Sequence, residues 1–411
     1  MNVTEGNMFW NERLGIIQKY PYLSKDKKCD VLVVGAGIGG ALTAYMQAKQ
    51  GANVIVVDKN IIGYGSTMQS NGTFETIIDF NNKILKSIPE KSIIKCNNLC
   101  KQALVDIKDI INAISEDEDC QKYMKNLKFK QTDLMYYSDK ITNKISMYKN
   151  FERLGKNNRA IEYLEQDPLI NLRTAIIFPG CAAMLNPYLF TQLIFLYLSK
   201  MENVEIYENT NINNITCKDE VVESITDNRF KIFAKSVILT NGIYTSEYLK
   251  DESITLNKTF TVVTERINDL AQDVINVVAK DINYPHTTIG FTQDKRIIIS
   301  GEDIKQNERM LNDQYNIKFA EGKYKRMYLT FKKLLNVSND VKITNCFSGM
   351  YLETKDGLPI IDELDNMPNV YCNLSSGRNG VVFSMIGARM LRNVSKQYHE
   401  KDMYLFRENR W

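Results

Sequence analysis

The chain has 411 residues, 44% of them hydrophobic and 25% charged, with a formal net charge of +3. Those proportions are those of an ordinary globular protein, and so small a charge gives no reason to invoke nucleic acid. A chain of this length exceeds one simple core, so two interleaved domains are expected.

The opening "MNVTEGNMFWNERLG" has no charged segment leading into an apolar core, so no secretory signal is read and a cytoplasmic location is expected. Val31–Val34 is a short β-branched run bounded by glycine, which reads as a buried parallel strand. Gly35, Gly37 and Gly40 follow in G-x-G-x-x-G spacing and open a helix. Gly35 permits the tight turn, Gly37 lets backbone N–H groups approach a pyrophosphate, and Gly40 lets the helix lie close on the strand. Gly51 stands where a helix-ending glycine belongs. A second strand, "ANVIVVD", ends in Asp58, an acid placed for ribose hydroxyls. Together these features mark a dinucleotide site. They do not separate FAD from NAD.

The loop after Asp58 carries Gly63, Gly65, Ser66, Thr67, Asn71 and Gly72, whose hydroxyls and amides suit phosphate or ribitol oxygens. Residues 78–125 have apolar positions near helical spacing, and "LKFKQTDLMYYSD" reads as strand. "NPYLFTQLIFLYLSK" starts a helix with Pro187 in its first turn; its apolar centre, 189–198, is too short to span a bilayer. Strands are expected in "VEIYEN", "NINNITC", "RFKIFAKSVILTNGIY", "FTVVTERI" and "RIIISGED", and a long helix in "YKRMYLTFKKLL". Near the end, Gly377-Arg378-Asn379-Gly380 precedes Val381, Val382, Met385, Ile386, Met390 and Leu391 at helical spacing. Such glycines imply a backbone close to something flat or anionic at a helix N-terminus. The eight cysteines contain no C-x-x-C and are expected to be reduced; with only His286 and His399 as imidazoles, no metal site is expected.

Taken together, the N-terminal motif, "GSTMQSNG", "NPYLF", "SVILTNG", "RIIISGED" and the segment from "FSGMYLETKDGLPII" to "SSGRNGVVFSMIGARML" resemble the D-amino acid oxidase, glycine oxidase and sarcosine oxidase superfamily. The resemblance implies an α/β fold: a Rossmann-like FAD-binding domain with an interleaved α+β substrate domain on an antiparallel sheet. It assigns 29–80, 176–246 and 341–395 to the first and 81–175 and 247–340 to the second. It implies FAD as cofactor and oxidation of a C–N bond of a small amine or amino acid by hydride transfer to flavin. The cofactor-binding set it implies is Gly35, Gly37, Ile38, Gly40, Asp58, Lys59, Gly65, Ser66, Thr67, Ile212, Thr240, Asn241, Gly242, Gly349, Gly377, Arg378, Asn379, Gly380 and Val381. Gly377 to Val381 would pass the flavin's pyrimidine edge, and Arg378 is the candidate catalytic residue.

Three departures stand out. The place of the family's carboxylate-binding arginine, counted back from Asp294, holds roughly Gly290, which leaves Arg378 or Arg266 as substitutes or implies a substrate without a carboxylate. Gly349 occupies the place of a flavin-linking cysteine, with Cys346 three residues away, so noncovalent FAD is expected. Thr240-Asn241-Gly242 replaces Ala-Thr-Gly. Tyr244 and Tyr351 adjoin cofactor segments, with packing as their expected role, and His286 is expected in a loop. Two alternatives remain open: a flavin-binding protein with lost or regulatory activity, and a nicotinamide-dependent dehydrogenase.

Overall fold

Val31, Leu32 and Val33 are wholly buried, as a strand covered on both faces requires. The computed structural model describes residues 4–410 except 13, 80–87, 156–159, 167–170, 219, 251–253, 269, 271–275, 307–312 and 336–340. In it these valines end strand Lys27–Val34, at the centre of a sheet. Its parallel strands run in the order Val204–Tyr207, Val54–Val57, Lys27–Val34, Lys231–Leu239, Val370–Leu374. The pairs Val57 with Tyr207, Val34 with Val57, Val34 with Leu239 and Leu239 with Cys372 bring the C-terminal ends of these strands to one edge. Ile360–Glu363, Val221–Thr226 and Ile212–Lys218 add antiparallel strands.

Helix Ile38–Lys49 packs on this sheet and against Pro187–Leu198 and Gly380–Met390. Small side chains make the approach possible: Ala41, Ala44 and Ala48 on the first helix and Ala388 on the last are all buried. Every residue of Pro187–Leu198 except Tyr197 is buried, each fully covered Leu or Phe contributing about 1.5–3 kcal/mol. Its two buried polar side chains are satisfied, Thr191 donating to Pro187 O at 2.9 Å and Gln192 to Ile62 O at 2.8 Å. Asn186 caps the helix by accepting from the Leu189 amide at 2.9 Å.

A second sheet runs in the order Thr4–Gly6, Ile343–Glu353, Thr255–Thr264, Ile297–Lys305, Thr287–Phe291, Val277–Asp281, Lys130–Ser138, Thr174–Met184, Thr73–Glu75. Along that order it is antiparallel except where Val277–Asp281 lies parallel to Lys130–Ser138, so the expected antiparallel sheet is a mixed one. Helix Asp313–Leu335 covers one face, Met327 and Phe331 packing in one cluster with Phe260 and Ile299. Glu302, buried on that face, is held by Lys323 and Arg326, each at 2.9 Å.

The helical expectation over 78–125 resolves into Glu90–Ser115 and Glu118–Leu127, with residues 80–87 outside the described part. Asp117 separates the two helices because its carboxylate accepts the amides of Asp119 and Cys120, which starts a new helix there. Strand Thr174–Met184 has no counterpart among the expected elements. Pro179 and Gly180 lie inside it and read as breakers, yet the sheet absorbs them at a register shift opposite Thr132 and Leu134, with Gly180 at φ +65°. No helix among the described residues is long and apolar enough to cross a membrane.

Candidate active site

The loops that leave the parallel strands at their common edge surround a cavity of about 770 Å³. It reaches from Asp58, Lys59 and Ile212 at one end to Ser300, Tyr351 and Arg378 at the other. This is where an open parallel sheet receives ligands, because neighbouring loops turn apart there and leave a crevice.

Helix Ile38–Lys49 begins at Gly37 with no side-chain cap, and Gly380–Met390 begins at Asn379 likewise. Both ends border the cavity, through Gly37 and Ile38 on one side and Gly380 and Val381 on the other. Two helix N-termini whose own cap residues offer no side-chain acceptor face one space, which suits a ligand with a pyrophosphate at one end and an anionic ring at the other. Gly35 has φ +104°, and a Cβ there would fall 2.7 Å from Thr240 O. At Gly40 a Cβ would lie 1.8 Å from Gly35 O, so the helix touches its own turn. Gly37 differs: a Cβ would meet only the Thr67 hydroxyl, at 3.0 Å, and otherwise open space. That space is a cradle a ligand can fill.

Asp58 ties the turn together, accepting from the Ala36 amide at 2.6 Å and the Asn60 amide at 2.7 Å. Burial pushes its carboxyl pKa up, against those amides, which pull it down. Thr67 accepts the Ile38 amide at 3.0 Å, and Thr240 donates to Gly35 O at 2.8 Å, so hydroxyls brace the glycine turn from two loops. The Lys59 ammonium stands 3.3 Å from the Tyr244 ring centroid, and both line the nucleotide end of the cavity.

The opposite end is built from side chains of the second sheet. Arg378 reaches strand Ile297–Lys305, donating to Ser300 O at 3.4 Å and pairing with Asp303; its other contact is Thr288 Oγ1 at 3.3 Å. The Tyr351 hydroxyl donates to the same Asp303 oxygen at 2.7 Å. Burial alone would lower the arginine's pKa, but Asp303 and Tyr351 more than offset this and hold it above its usual range. Burial, reinforced by Asp303, raises Tyr351. Beyond Arg378, Lys280 bonds Glu75 at 2.9 Å and Asp79 at 3.3 Å.

Of the residues expected to bind cofactor, Gly35, Gly37, Ile38, Asp58, Lys59, Gly65, Ser66, Thr67, Ile212, Thr240, Asn241, Gly242, Gly349, Gly377, Arg378, Gly380 and Val381 line the cavity. Gly40 and Asn379 stand behind its wall. Asn379 bonds the backbone of Glu75 in both directions, at 2.9 and 3.0 Å, and so ties the arginine loop to strand Thr73–Glu75. Gly349 lines the cavity, and Gln69 fills the place a side chain there would take: a Cβ would be 2.1 Å from Gln69 Oε1. Cys346 packs with the cluster under helix Asp313–Leu335, and burial raises its thiol to about 11. Arg266 is half exposed and pairs with Asp294 at 3.2 Å. It is not among the cavity-lining residues. Gln69 and Ser300 line the cavity and Asp303 pairs with Arg378 from behind it; "GSTMQSNG" and "RIIISGED" hold these three residues without marking their roles, and Tyr351, expected only to pack, contributes its hydroxyl.

Residues 30–393 match the profile of a family, DAO, described as FAD dependent oxidoreductase. The chain belongs to that family. FAD is accordingly its cofactor, and the open cradle at Gly37 and the two uncapped helix ends fit such a group. The nicotinamide alternative is set aside. The chain is 22% identical over 385 residues to the gamma-glutamylputrescine oxidoreductase of Escherichia coli (strain K12), spanning 90% of this chain and 84% of that one. It is 22% identical over 391 residues to the probable oxidoreductase OrdL of Haemophilus influenzae, spanning 91% and 84%. Among solved structures, glycine oxidase from Geobacillus kaustophilus superposes with a TM-score of 0.76 at 16% identity, covering 94% of this chain and 99% of that one. L-proline dehydrogenase from P. horikoshii gives 0.71 at 17% identity, covering 94% and 98%. L-alpha-glycerophosphate oxidase from Mycoplasma pneumoniae, with FAD bound, gives 0.67 at 16% identity, covering 91% and 96%. This DAO-family chain therefore shares the fold of enzymes with different substrates, and the fold by itself does not choose among them.

Proposed function

We propose that this FAD-dependent oxidoreductase oxidises the C–N bond of a small amine or amino acid. The carbon next to nitrogen gives up a hydride and the nitrogen a proton; the resulting imine takes up water and separates into a carbonyl compound and an amine. FAD, when bound, supplies the two-electron acceptor and passes the pair to an external oxidant.

The observation that carries this reading is the single cavity joining an uncapped glycine turn to an uncapped helix end beside Arg378. Its division of labour follows from the residues. Gly35, Gly37 and Asp58 would hold the nucleotide half, with Ser66, Thr67, Thr240 and Gly242 along its length. Gly377 to Val381 would run beside the ring, where the N-terminus of helix Gly380–Met390 offers partial positive charge to a reduced, anionic cofactor. Gly349, backed by Gln69, would let the ring lie flat without a covalent link. Arg378 would set the charge at the reacting end. The cofactor domain is taken as 29–80, 176–246 and 341–395, and the substrate domain as the segments between, with strands Thr73–Glu75, Thr174–Met184 and Ile343–Glu353 crossing from the first domain into the second sheet. Support for amine chemistry comes also from relatives named for amine and amino-acid substrates.

The test is turnover of the FAD-loaded protein with a panel of primary amines, secondary amines and amino acids and a redox dye as acceptor. A carbonyl product formed in step with dye bleaching is expected for at least one class. Dye left unbleached by every member would overturn the reading.

A further inference from the structure

Among the described residues Arg378 is the one arginine on the cavity wall, and its charge is already engaged. Asp303 pairs with it directly, while Ser300 O and Thr288 Oγ1 take up its other terminal nitrogen at 3.4 and 3.3 Å. Tyr351 fixes Asp303 from the other side at 2.7 Å. The second oxygen of Asp303, Oδ1, is buried and has no hydrogen-bond partner among the described residues. The surroundings are no friendlier to an anion. Glu353 lies within electrostatic reach of both Asp303 and Arg378. Lys280, a nearby cation, is taken up by Glu75 and Asp79. At Gly290 a Cβ would already lie 2.7 Å from Thr73 Cγ2 and 3.5 Å from Met184, so no arginine fits there either.

We propose that Asp303 determines substrate choice: by neutralising Arg378 it turns the reacting end of the cavity away from free carboxylates and toward amines with no carboxylate on the nitrogen-bearing carbon. This rests on the amine-oxidase reading and narrows it. Asp303 acts through its charge. Among the described cavity-lining residues Arg378 is the one cation at this end, and the paired oxygen of Asp303 cancels its charge from behind the wall.

Acetamidine and acetate test this choice, since they share a shape, differ in charge and carry no C–H next to an amine nitrogen. Each is titrated into the FAD-loaded protein and followed by perturbation of the flavin's visible band. The wild type is expected to bind acetamidine at least tenfold more tightly than acetate. Asp303→Asn keeps the shape, removes the charge and frees Arg378, so it should reverse that order. Wild-type binding of acetate as tight as that of acetamidine, or no measurable preference, would overturn the proposal. An Asn variant that keeps the wild-type order would do the same. If the Asn variant proves unstable, the wild-type comparison alone decides. Turnover plays no part, so a protein that oxidised nothing would sink the functional reading and leave this result independent.

Discussion

The two ends of the cavity are made in different ways. At the nucleotide end, backbone does most of the holding: Gly35 packs against Thr240 O, Gly40 against Gly35 O, and Asp58 gathers the amides of Ala36 and Asn60. At the reacting end, side chains from distant strands do it, through the ionic cluster of Arg378, Asp303 and Tyr351. Backbone geometry is set by a few neighbouring residues, tolerates little change and suits a cofactor that stays the same. A side-chain cluster is remade by one substitution, which suits the end where substrates differ.

Substitutions at three glycine-turn positions should break the first end most severely. Gly40→Val pushes a side chain into Gly35 O and should cost more than about 4 kcal/mol, leaving little soluble protein. Gly37→Leu should separate folding from cofactor binding, because its side chain enters the cradle and not the protein. That variant is expected to melt like the flavin-free wild type yet carry no yellow colour; retained colour would mean that the pyrophosphate lies elsewhere. Asp58→Ala removes the acceptor for two amides and should weaken FAD about 10–100-fold, measured by titration of the apoprotein.

At the reacting end, Arg378→Met should keep FAD bound but slow flavin reduction by every amine about tenfold, since it strands the Asp303 charge beside the ring. It should also destabilise the protein by about 1–3 kcal/mol, less than a fully buried pair because both side chains remain about a fifth exposed.

The smallest effect is expected away from both ends, at Asp294. Burial pushes this carboxyl up, but Lys128, Thr292 and Arg296 more than reverse that and hold it below the usual carboxylate range. A depressed folded value gives stability that is present above the ordinary carboxylate pKa of about 4 and lost as pH falls through the folded one. Asp294→Asn should therefore lose about 1–2 kcal/mol at neutral pH, and almost nothing in strong acid, with flavin content unchanged.

The same contrast governs what could be read from the sequence. Gly35, Gly37, Gly40, Asp58 and the Gly377–Gly380 loop were legible because each meets a local demand: a positive φ, a close approach, a strand end. The strand around Pro179 and Gly180 was not, because its partners, not its own residues, hold it extended. Asp303 was hidden for another reason. Its contacts with Arg378 and Tyr351 span 75 and 48 residues and depend on strands meeting across the second sheet. The absence of an arginine near Gly290 could be seen in the sequence, but the capture of Arg378 by Asp303 could not. Gln69 was likewise invisible until its side chain was seen filling the space over Gly349.

The central claim is that one cavity holds FAD at one end and an oxidisable amine at the other. Anaerobic addition of amines to the purified yellow protein tests it most directly, with the flavin's visible band as readout. Bleaching by an amine that lacks an α-carboxylate, faster than by its carboxylated counterpart, is the expected result. A flavin band that persists through the whole panel would contradict it.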